Sequence, residues 1–171
     1  KKKKNKSTNI AGIQTYLQSR GVDLVVTREP GGTRLGEDVR EVLLRPREEP
    51  VVPMAELLLL FAARAQHVED VILPALGAGK WVICDRFTDA SYAYQCGGRG
   101  MPASAVRALE ARVQGEPRPD YTLLLDTPVD TGLERVRGRG DLDRFEREEL
   151  AFFQRVRETY LQLARESSGR R

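Results

Sequence analysis

The chain has 171 residues and a mass of 19.2 kDa, about the length of one domain, and its 40% hydrophobic content is enough to bury a core. The longest apolar run, residues 57–63, is far shorter than the roughly 20 residues of a membrane span, and no hydrophobic signal peptide opens the chain. We therefore expect a soluble protein of the cytoplasm. Two cysteines and a single histidine, His67, exclude a disulfide framework and a four-ligand zinc site.

The net charge of +3 comes from one terminal block, because residues 1–4 are all lysine and carry four of the 28 positive charges. Without them, 24 positive charges face 25 negative ones. Overall charge therefore predicts no nucleic-acid partner. A local cluster is more informative: arginines at positions 135, 137, 139 and 144 share a segment with two glycines. We interpret residues 137–144 as a short, mobile, arginine-rich insert.

The predicted elements alternate between helices and strands. Helical spacing and composition predict helices over residues 10–17, 35–43, 54–73, 102–114 and 145–166. Short continuous apolar runs predict buried strands over residues 22–27, 81–84 and 121–126. The helix of the central segment is apolar on every side around residues 57–61, so we expect it in the middle of the fold or at an interface.

The predicted strands are apolar throughout and end at charged residues. Continuous apolar strands separated by helices indicate an α/β fold in three layers, with a parallel sheet covered by helices on both faces. Ligands of such sheets bind at the carboxyl ends of the strands. These ends are Arg28-Glu29, Asp85-Arg86 and Asp126. We predict a single domain over residues 1–171 with its binding cleft at these ends.

Lys6-Ser7-Thr8 directly precedes the first predicted helix and matches the end of a phosphate-binding loop, G-x-x-x-x-G-K-[ST]. In that loop backbone amides and a helix N-terminus hold phosphates, the lysine reaches the β and γ groups, and the hydroxyl binds Mg²⁺. Residues 1–5 are lysine and asparagine, where the glycines would lie. Taken alone, an N-cap beside a surface lysine is the more common meaning of this tripeptide.

Two charged turns follow predicted strands. Arg28-Glu29 leads into a Pro-Gly-Gly turn, and Asp85-Arg86 repeats the pairing of an acid with a cation at the next strand end. An aspartate at such an end can hold the hydration shell of Mg²⁺, and a guanidinium can bind phosphate through two hydrogen bonds. Taken alone, the Arg28-Glu29 turn fits solvated charges equally well, and an Asp-Arg pair is more often a surface pair.

Several motifs in chain order closely resemble the bacterial thymidylate kinase family. They are Thr27-Arg28-Glu29-Pro30-Gly31-Gly32-Thr33, Phe61-Ala62-Ala63-Arg64, Asp85-Arg86-Phe87, Ala93-Tyr94-Gln95-Cys96-Gly97-Gly98-Arg99-Gly100 and Leu142-Asp143-Arg144-Phe145-Glu146. The resemblance extends from Lys6 to about Tyr160. It implies a P-loop nucleoside monophosphate kinase that transfers the γ-phosphoryl group of ATP to dTMP in dTTP biosynthesis. It also implies Mg²⁺, a homodimer without nucleic-acid or membrane partners, and a lid formed by the insert at about residues 137–144.

The resemblance implies roles at the phosphates. The residues implied for ATP are Lys6, Ser7, Thr8, Arg139 and Arg144, with Arg139 closing from the lid and Arg144 behind it. Ser7 and Asp85 would hold Mg²⁺, directly or through water, and Glu29 would act through the metal or bound water. Arg40 and Arg86 would bind the dTMP phosphate. The implied catalytic residues are Lys6, Glu29, Asp85, Arg86 and Arg139.

The resemblance also implies how dTMP is bound. The residues concerned are Glu29, Arg40, Leu44, Phe61, Arg64, Arg86, Ser91, Tyr94 and Gln95. Phe61 would stack on thymine, Arg64 and Gln95 would hydrogen-bond its edge, and Ser91 would lie close by. Tyr94 would stand under the sugar, where a 2′-hydroxyl would collide. Without the resemblance, Phe61 and Tyr94 fit ordinary packed aromatics.

The chain departs from the family's pattern in three ways. Cys96 stands where relatives commonly have glycine. The family's stacking phenylalanine often lies four residues before the arginine, and Leu60 has that place here while Phe61 is three residues away. The opening strand, the glycine-rich loop and the closing strand and helix are missing. We therefore expect a chain truncated at both ends, with either a buried strand before Lys6 or an unformed phosphate loop at residues 1–5.

Two alternatives stay open at this stage. A related nucleotide or deoxynucleoside kinase would share the Asp-Arg strand end and the lid. A basic nucleic-acid-binding module would use the terminal lysines and the arginine-rich insert, although no aromatic residues interleave with them.

Overall fold

The structure is a computed structural model that describes the backbone of residues 6–137 and 142–166 and the side chains of residues 8–134 and 142–166. In chain order its elements are α1 (Lys6–Ser19), β1 (Leu24–Arg28), α2 (Arg34–Leu44), α3 (Pro53–His67), α4 (Leu73–Gly77), β2 (Trp81–Asp85), α5 (Thr88–Ser91), α6 (Ala103–Val113), α7 (Val129–Arg137) and α8 (Leu150–Glu166). Two π-helical segments join this series: Val68–Ile72 continues α3 into α4, and Tyr92–Gly98 extends α5.

Strands β1 and β2 pair in parallel, in a register that sets Leu24 opposite Trp81 and Arg28 opposite Asp85. A parallel pair needs a long crossover, which the helices α2 to α4 supply. The amide of Glu29 donates to the Asp85 carbonyl over 3.0 Å and carries the pairing one residue further. The prediction of an α/β fold with a parallel sheet is confirmed, and the two predicted charged strand ends lie side by side.

The prediction of a third strand over residues 121–126 is wrong: within the described parts of the chain, these residues form no strand. The segment has no strand partner there, and its side chains alternate between exposed and half-buried, with Tyr121 80% and Leu123 67% exposed. Two hydrogen bonds from Arg157, of 2.7 and 2.6 Å, hold Asp126 at its end. An apolar run predicts a tendency to be buried, but a strand also needs a neighbour to pair with.

The five predicted helices are confirmed, with differences at their ends and one exception in burial. Helix α8 begins at Leu150 instead of residue 145, because the Asp143 carboxylate accepts from the amides of Phe145 and Glu146 over 2.9 Å and forms a turn. The central helix is not buried on every side: Met54 and Leu58 are 47% and 50% exposed. Helical structure at residues 88–98 and in α7 was not predicted.

The hydrophobic core consists of two clusters of buried side chains. One joins α3 to α6, and the other joins the π-helical segment Tyr92–Gly98 to α8; their buried members are Leu57, Phe61 and Val106, and Ala93, Phe152 and Val156. The ring of Phe152 lies so close to Gly98 that a side chain there would have no room. This packing fixes the segment that carries Tyr94 and Gln95.

The loop from β1 to α2 is held by local contacts. Thr33 caps α2, since its hydroxyl accepts from the Gly36 amide over 3.0 Å. Gly32 has a φ of +81°, and a Cβ there would lie 2.6 Å from both Thr27 Oγ1 and His67 Cδ2. Only glycine suits that combination of conformation and space, so the Gly-Gly turn brings the loop directly against α3.

None of the described helices is long and apolar enough to cross a membrane. Residues 138–141, the centre of the predicted lid, and residues 1–5, the predicted phosphate-loop region, lie outside the described residues.

Candidate active site

A cavity of about 150 Å³ lies at the carboxyl ends of β1 and β2. Eight of the nine side chains that sequence analysis assigned to dTMP line it: Glu29, Arg40, Leu44, Arg64, Arg86, Ser91, Tyr94 and Gln95. They come from the loop after β1, from α2 and α3, from the residue after β2 and from the helical stretch 88–98. These eight residues are up to 66 positions apart in the chain, and the cavity brings them together.

The Arg64 guanidinium is held rigidly in the wall of this cavity. It is 3% exposed, its Nε donates to Glu29 Oε2 over 2.7 Å, and its Nη2 donates to Ser91 Oγ over 3.0 Å. The group also lies over the rings of Phe61 and Phe87, at 4.6 and 5.0 Å from their centroids. Its Nη1 has no hydrogen-bond partner among the described residues. A buried donor at a cavity wall is suited to an acceptor on a ligand.

Glu29 orients Arg64 with the help of His67. The carboxylate is 5% exposed; Oε2 accepts from Arg64, and Oε1 accepts from Nδ1 of the fully buried His67 over 3.0 Å. On the other side of the ring, Nε2 shares a hydrogen bond of 2.6 Å with Thr27 Oγ1. Protein donors therefore contact both oxygens and fix the carboxylate in place, while the predicted action of Glu29 through Mg²⁺ or bound water stays a prediction.

Sequence analysis did not assign His67 to the site. The available signal was its spacing: His67 lies three residues after Arg64, close to one turn of α3, so both side chains face the loop after β1.

Gln95 is oriented by a buried carboxylate. Gln95 is 1% exposed, and its Nε2 donates to Oε1 of Glu56 over 2.9 Å. Glu56 is fully buried and also accepts from Arg99, at 3.2 Å to each oxygen, and from Arg144 at 2.6 Å. The Gln95 Oε1 has no partner among the described residues. Gln95 and Arg64 both line the cavity, and each has one buried polar atom without a partner among the described residues, an acceptor in Gln95 and a donor in Arg64.

Arg144 does not take the position that sequence analysis expected. Its side chain is 13% exposed, with Nη2 on Glu56 and Nε donating to the Leu43 carbonyl over 2.8 Å, while its own amide donates to the Leu44 carbonyl over 2.9 Å. These carbonyls end α2 and have no partner further along the helix. The predicted ATP contact of Arg144 is therefore corrected: this side chain neutralises Glu56 and closes the C-terminus of α2.

Phe61 is the one predicted dTMP residue that does not line the cavity. Its ring is 2% exposed and packs in the core with Leu57 and Val106, while Leu60 lines the cavity. Neighbouring residues on a helix point about 100° apart, so the position four residues before Arg64 faces the ligand space and the position three before it does not. The predicted stacking of Phe61 on a base is corrected on this ground.

Three arginines gather on the phosphate side of the cavity. Arg40 is partly buried, and its Nη1 donates to the Pro30 carbonyl over 3.1 Å. Burial, and then the positive charges of Arg28 and Arg86, hold the pKa of Arg40 below its ordinary value. Arg28 is neutralised in part by Glu37, at 2.7 Å. Clustered guanidinium groups of this kind are stabilised by an added anion.

Arg86 adopts a φ of +67°, in the left-handed region that non-glycine residues rarely occupy. Its guanidinium lies beside Tyr94 and 3.9 Å from Asp85 Oδ1. Backbone conformations of this kind cluster at binding and catalytic sites, where surrounding contacts compensate their cost. The strained turn places Arg86 beside the cavity at the end of β2.

Tyr94 forms part of the cavity wall between two aromatic rings. It meets Phe145 at 5.8 Å and Phe152 at 6.1 Å between ring centroids, both edge to face. Packing on two sides leaves the ring little freedom to move away from a ligand. Phe145 and Phe153 also line the cavity. Sequence analysis included Phe145 in a motif and Phe153 in the helix predicted over residues 145–166, without assigning either to the site.

The predicted ATP side is only partly described. Thr8 is exposed in the first turn of α1, whereas the side chains of Lys6 and Ser7 and all of Arg139 lie outside the described residues. Asp85 ends β2 with its side chain 21% exposed. Among the side chains that the structure describes, no group of three or more His, Cys, Asp or Glu residues is placed to hold a metal ion.

Comparisons with known proteins agree with this geometry. The family model described as thymidylate kinase matches residues 5–170. The chain is 56% identical over 165 residues to a thymidylate kinase of Teredinibacter turnerae, covering 96% of this chain and 80% of that protein. It is 58% identical over 165 residues to one from Methylococcus capsulatus, covering 96% and 78%. The crystal structure of a thymidylate kinase from Ehrlichia chaffeensis matches with a TM-score of 0.74 and 33% identity, over 94% of this chain and 79% of that one.

Proposed function

The chain belongs to the thymidylate kinase family, and we propose that it transfers the γ-phosphoryl group of ATP to dTMP, giving dTDP and ADP, at the cavity beyond β1 and β2. The single observation that supports this substrate best is a pair of buried polar atoms that have no hydrogen-bond partner within the described parts of the chain: the donor Arg64 Nη1 and the acceptor Gln95 Oε1. The edge of thymine presents an acceptor, O4, beside a donor, N3–H. Cytosine presents the reverse, a donor at N4 and an acceptor at N3.

The acceptor phosphate belongs with the arginine cluster. Arg40 and Arg86 would bind it. Burial, and then the charges of Arg28 and Arg86, lower the pKa of Arg40, and an anion there would offset this repulsion. Phosphoryl transfer needs in-line positioning and positive charge around the transferring group more than covalent chemistry. Arg86 adjoins both Tyr94 and Asp85 and would keep the phosphate of dTMP in place for the attack on ATP.

The sugar of dTMP would lie against Tyr94. The ring is wedged between Phe145 and Phe152, so it cannot turn aside to admit a 2′-hydroxyl. The preference for deoxyribose over ribose would then be steric. Leu60 and Leu44, which line the cavity, would supply apolar contacts to the nucleotide.

ATP would bind at the start of α1, with Lys6, Ser7 and Thr8 at its phosphates and Arg139 closing from the lid at residues 137–144. A helix N-terminus presents free amide groups to phosphate. Asp85 fits a magnesium site, because Mg²⁺ is usually held by one or two carboxylates together with phosphate oxygens and water. Ser7 and Asp85 would hold the ion, and bound Mg²⁺ supplies positive charge to the phosphates.

A coupled assay of ADP release with ATP and a panel of nucleoside monophosphates tests the function. We expect turnover of dTMP to exceed that of dCMP, dGMP and dAMP by roughly 10²-fold or more in kcat/KM. Better turnover of another monophosphate, or of a nucleoside, would favour the related nucleotide and deoxynucleoside kinases instead.

We also propose that the enzyme is a cytoplasmic homodimer. Met54 and Leu58 lie one turn apart on an exposed face of α3, and a second copy of the chain is the partner that the family resemblance implies. Light scattering on the parent should give twice the monomer mass, and Leu58→Glu should halve it. A monomeric parent at micromolar concentration would contradict this proposal.

A further inference from the structure

Glu56 belongs to no step of the proposed reaction, yet it is fully buried and has the densest set of polar contacts near the cavity. Donors from Gln95, Arg99 and Arg144 converge on its two oxygens at distances of 2.6 to 3.2 Å. Two of these donors are guanidinium groups, so Glu56 forms ion pairs with both Arg99 and Arg144. An ionised carboxylate accepts hydrogen bonds and cannot donate them.

This charge determines how the Gln95 amide is turned. A glutamine side chain has a donor end and an acceptor end of almost the same shape. If the amide were reversed, its Oε1 would face Glu56 Oε1 at the 2.9 Å now occupied by the hydrogen bond. Two oxygens without a proton between them repel strongly in a buried site. The Nε2 must therefore face Glu56, and Oε1 is the atom left to meet a ligand.

We propose that Glu56 is a specificity-determining positioning residue, which fixes the Gln95 amide in the one orientation that accepts from the N3–H of thymine and so disfavours cytosine. The inference rests on the proposed function, since it concerns the same nucleotide site. Without Glu56, Gln95 can turn over and offer its Nε2 to the N3 of cytosine. The fixed donor of Arg64 still opposes cytosine, so selectivity falls but does not vanish.

Binding of dTMP and dCMP to the purified enzyme, measured by isothermal titration calorimetry, tests the inference. The readout is the ratio of the two Kd values on one preparation, which does not depend on the amount of active protein. We expect Glu56→Gln to lower the dCMP/dTMP ratio of Kd values by about tenfold or more. A ratio within twofold of the parent's would overturn the inference.

A double-variant cycle separates orientation of Gln95 from a general disturbance of the site. Gln95→Met keeps the length of the side chain and removes both ends of the amide. If Glu56 acts through Gln95, Glu56→Gln should change the ratio less than twofold in the Gln95→Met background. A fall as large as in the parent background would show that Glu56 acts by another route and would overturn the inference.

Glu148→Gln is the matched control, because Glu148 contacts Arg99 at 2.5 Å without touching Gln95. It should leave the ratio within twofold of the parent's, and an equal fall in this variant would overturn the inference. If Glu56→Gln does not melt cooperatively, Glu56→Asp takes its place, since it keeps the charge for both arginines and withdraws the carboxylate from Gln95. Glu56→Asp should lower the ratio about threefold or more, and an unchanged ratio would overturn the inference.

These outcomes differ from a failure of the proposed function. A parent that phosphorylates dTMP but shows unchanged selectivity in the Glu56 variants contradicts only the role of Glu56. A parent that binds dCMP as tightly as dTMP contradicts both.

Discussion

The wall of the nucleotide cavity and the end of the segment 121–126 each contain an ion pair between an arginine and a carboxylate. The pair in the cavity wall is buried, and the pair at the segment is exposed to solvent. In the cavity wall, the buried pair of Glu29 and Arg64 has one hydrogen bond of 2.7 Å. At the end of the segment, Asp126 and Arg157 form two, of 2.7 and 2.6 Å, with about 40% of each side chain exposed. The second pair has the better geometry, but water competes for both partners. Burial, more than hydrogen-bond geometry, therefore decides which of the two ion pairs contributes more to the stability of the fold.

The largest effect should follow from removing Arg64. Arg64→Ala leaves the Glu29 carboxylate buried without its cation, which typically costs about 3–5 kcal/mol, and it also removes the donor proposed for thymine O4. We expect Tm to fall by roughly 6 °C or more and KM for dTMP to rise. Thermal melting and steady-state kinetics measure the two effects.

Arg45→Ala is the control for this change, because it breaks the exposed pair of Arg45 with Glu41 at 2.5 Å. It should leave Tm almost unchanged. An equal fall of Tm in both variants would contradict the idea that burial decides the outcome.

The next largest effects should separate two arginines that sequence analysis placed together at ATP. Arg144→Ala should lower stability by about 1–3 kcal/mol, because Glu56 and the Leu43 carbonyl both lose a donor. Arg139→Ala should leave stability unchanged and lower kcat by roughly 10²-fold, as expected for a group that acts on the transferring phosphoryl.

Denaturant unfolding and single-turnover kinetics on both variants test this separation. If Arg144→Ala lowered kcat with normal stability, the original assignment of Arg144 to ATP would be restored. If Arg139→Ala unfolded easily, its role in the lid would be wrong.

A smaller effect is expected at His67, which reaches the nucleotide only through Glu29. His67→Phe keeps a ring in the fully buried position but removes the donor to Glu29 and the partner of Thr27. We expect KM for dTMP to rise about tenfold with kcat nearly constant, because Arg64 is held less firmly. His67→Asn should recover part of that loss by donating to Glu29. If both variants lowered kcat and left KM unchanged, His67 would not act through the binding of dTMP.

The two regions also differ in how well their structure could be predicted from the sequence. Apolar runs followed by charges correctly predicted the ends of β1 and β2, because periodicity and strand ends are local features. Eight of the nine residues assigned to dTMP line one cavity, and those assignments came from the family resemblance.

What sequence patterns could not predict depends on partners distant in the chain. Phe61 packs in the core against Val106 of another helix, and this contact is not visible in the sequence around Phe61. Arg144 binds Glu56, 88 positions away. The apolar run at residues 121–126 predicts a strand, but the sequence carries no information about whether a neighbouring strand is available to pair with it. These are interactions of tertiary structure, which override local preferences.

The smallest effect should be seen at Asp126, and its pH dependence identifies the cause. Hydrogen bonding from Arg157, followed by the positive charge of that residue, holds the pKa of Asp126 below its ordinary value of 3.8. A carboxyl whose pKa is lower in the folded state stabilises the protein above its unfolded pKa, and this stabilisation is lost as the pH falls through the folded pKa. Asp126→Asn should therefore be slightly less stable than the parent at pH 7, and the difference should shrink below pH 3.8. Urea unfolding of both proteins across this range measures the difference, with Arg157→Gln expected to behave like Asp126→Asn. A loss at pH 7 as large as that of Arg64→Ala would contradict the comparison, because an exposed pair would then matter as much as a buried one.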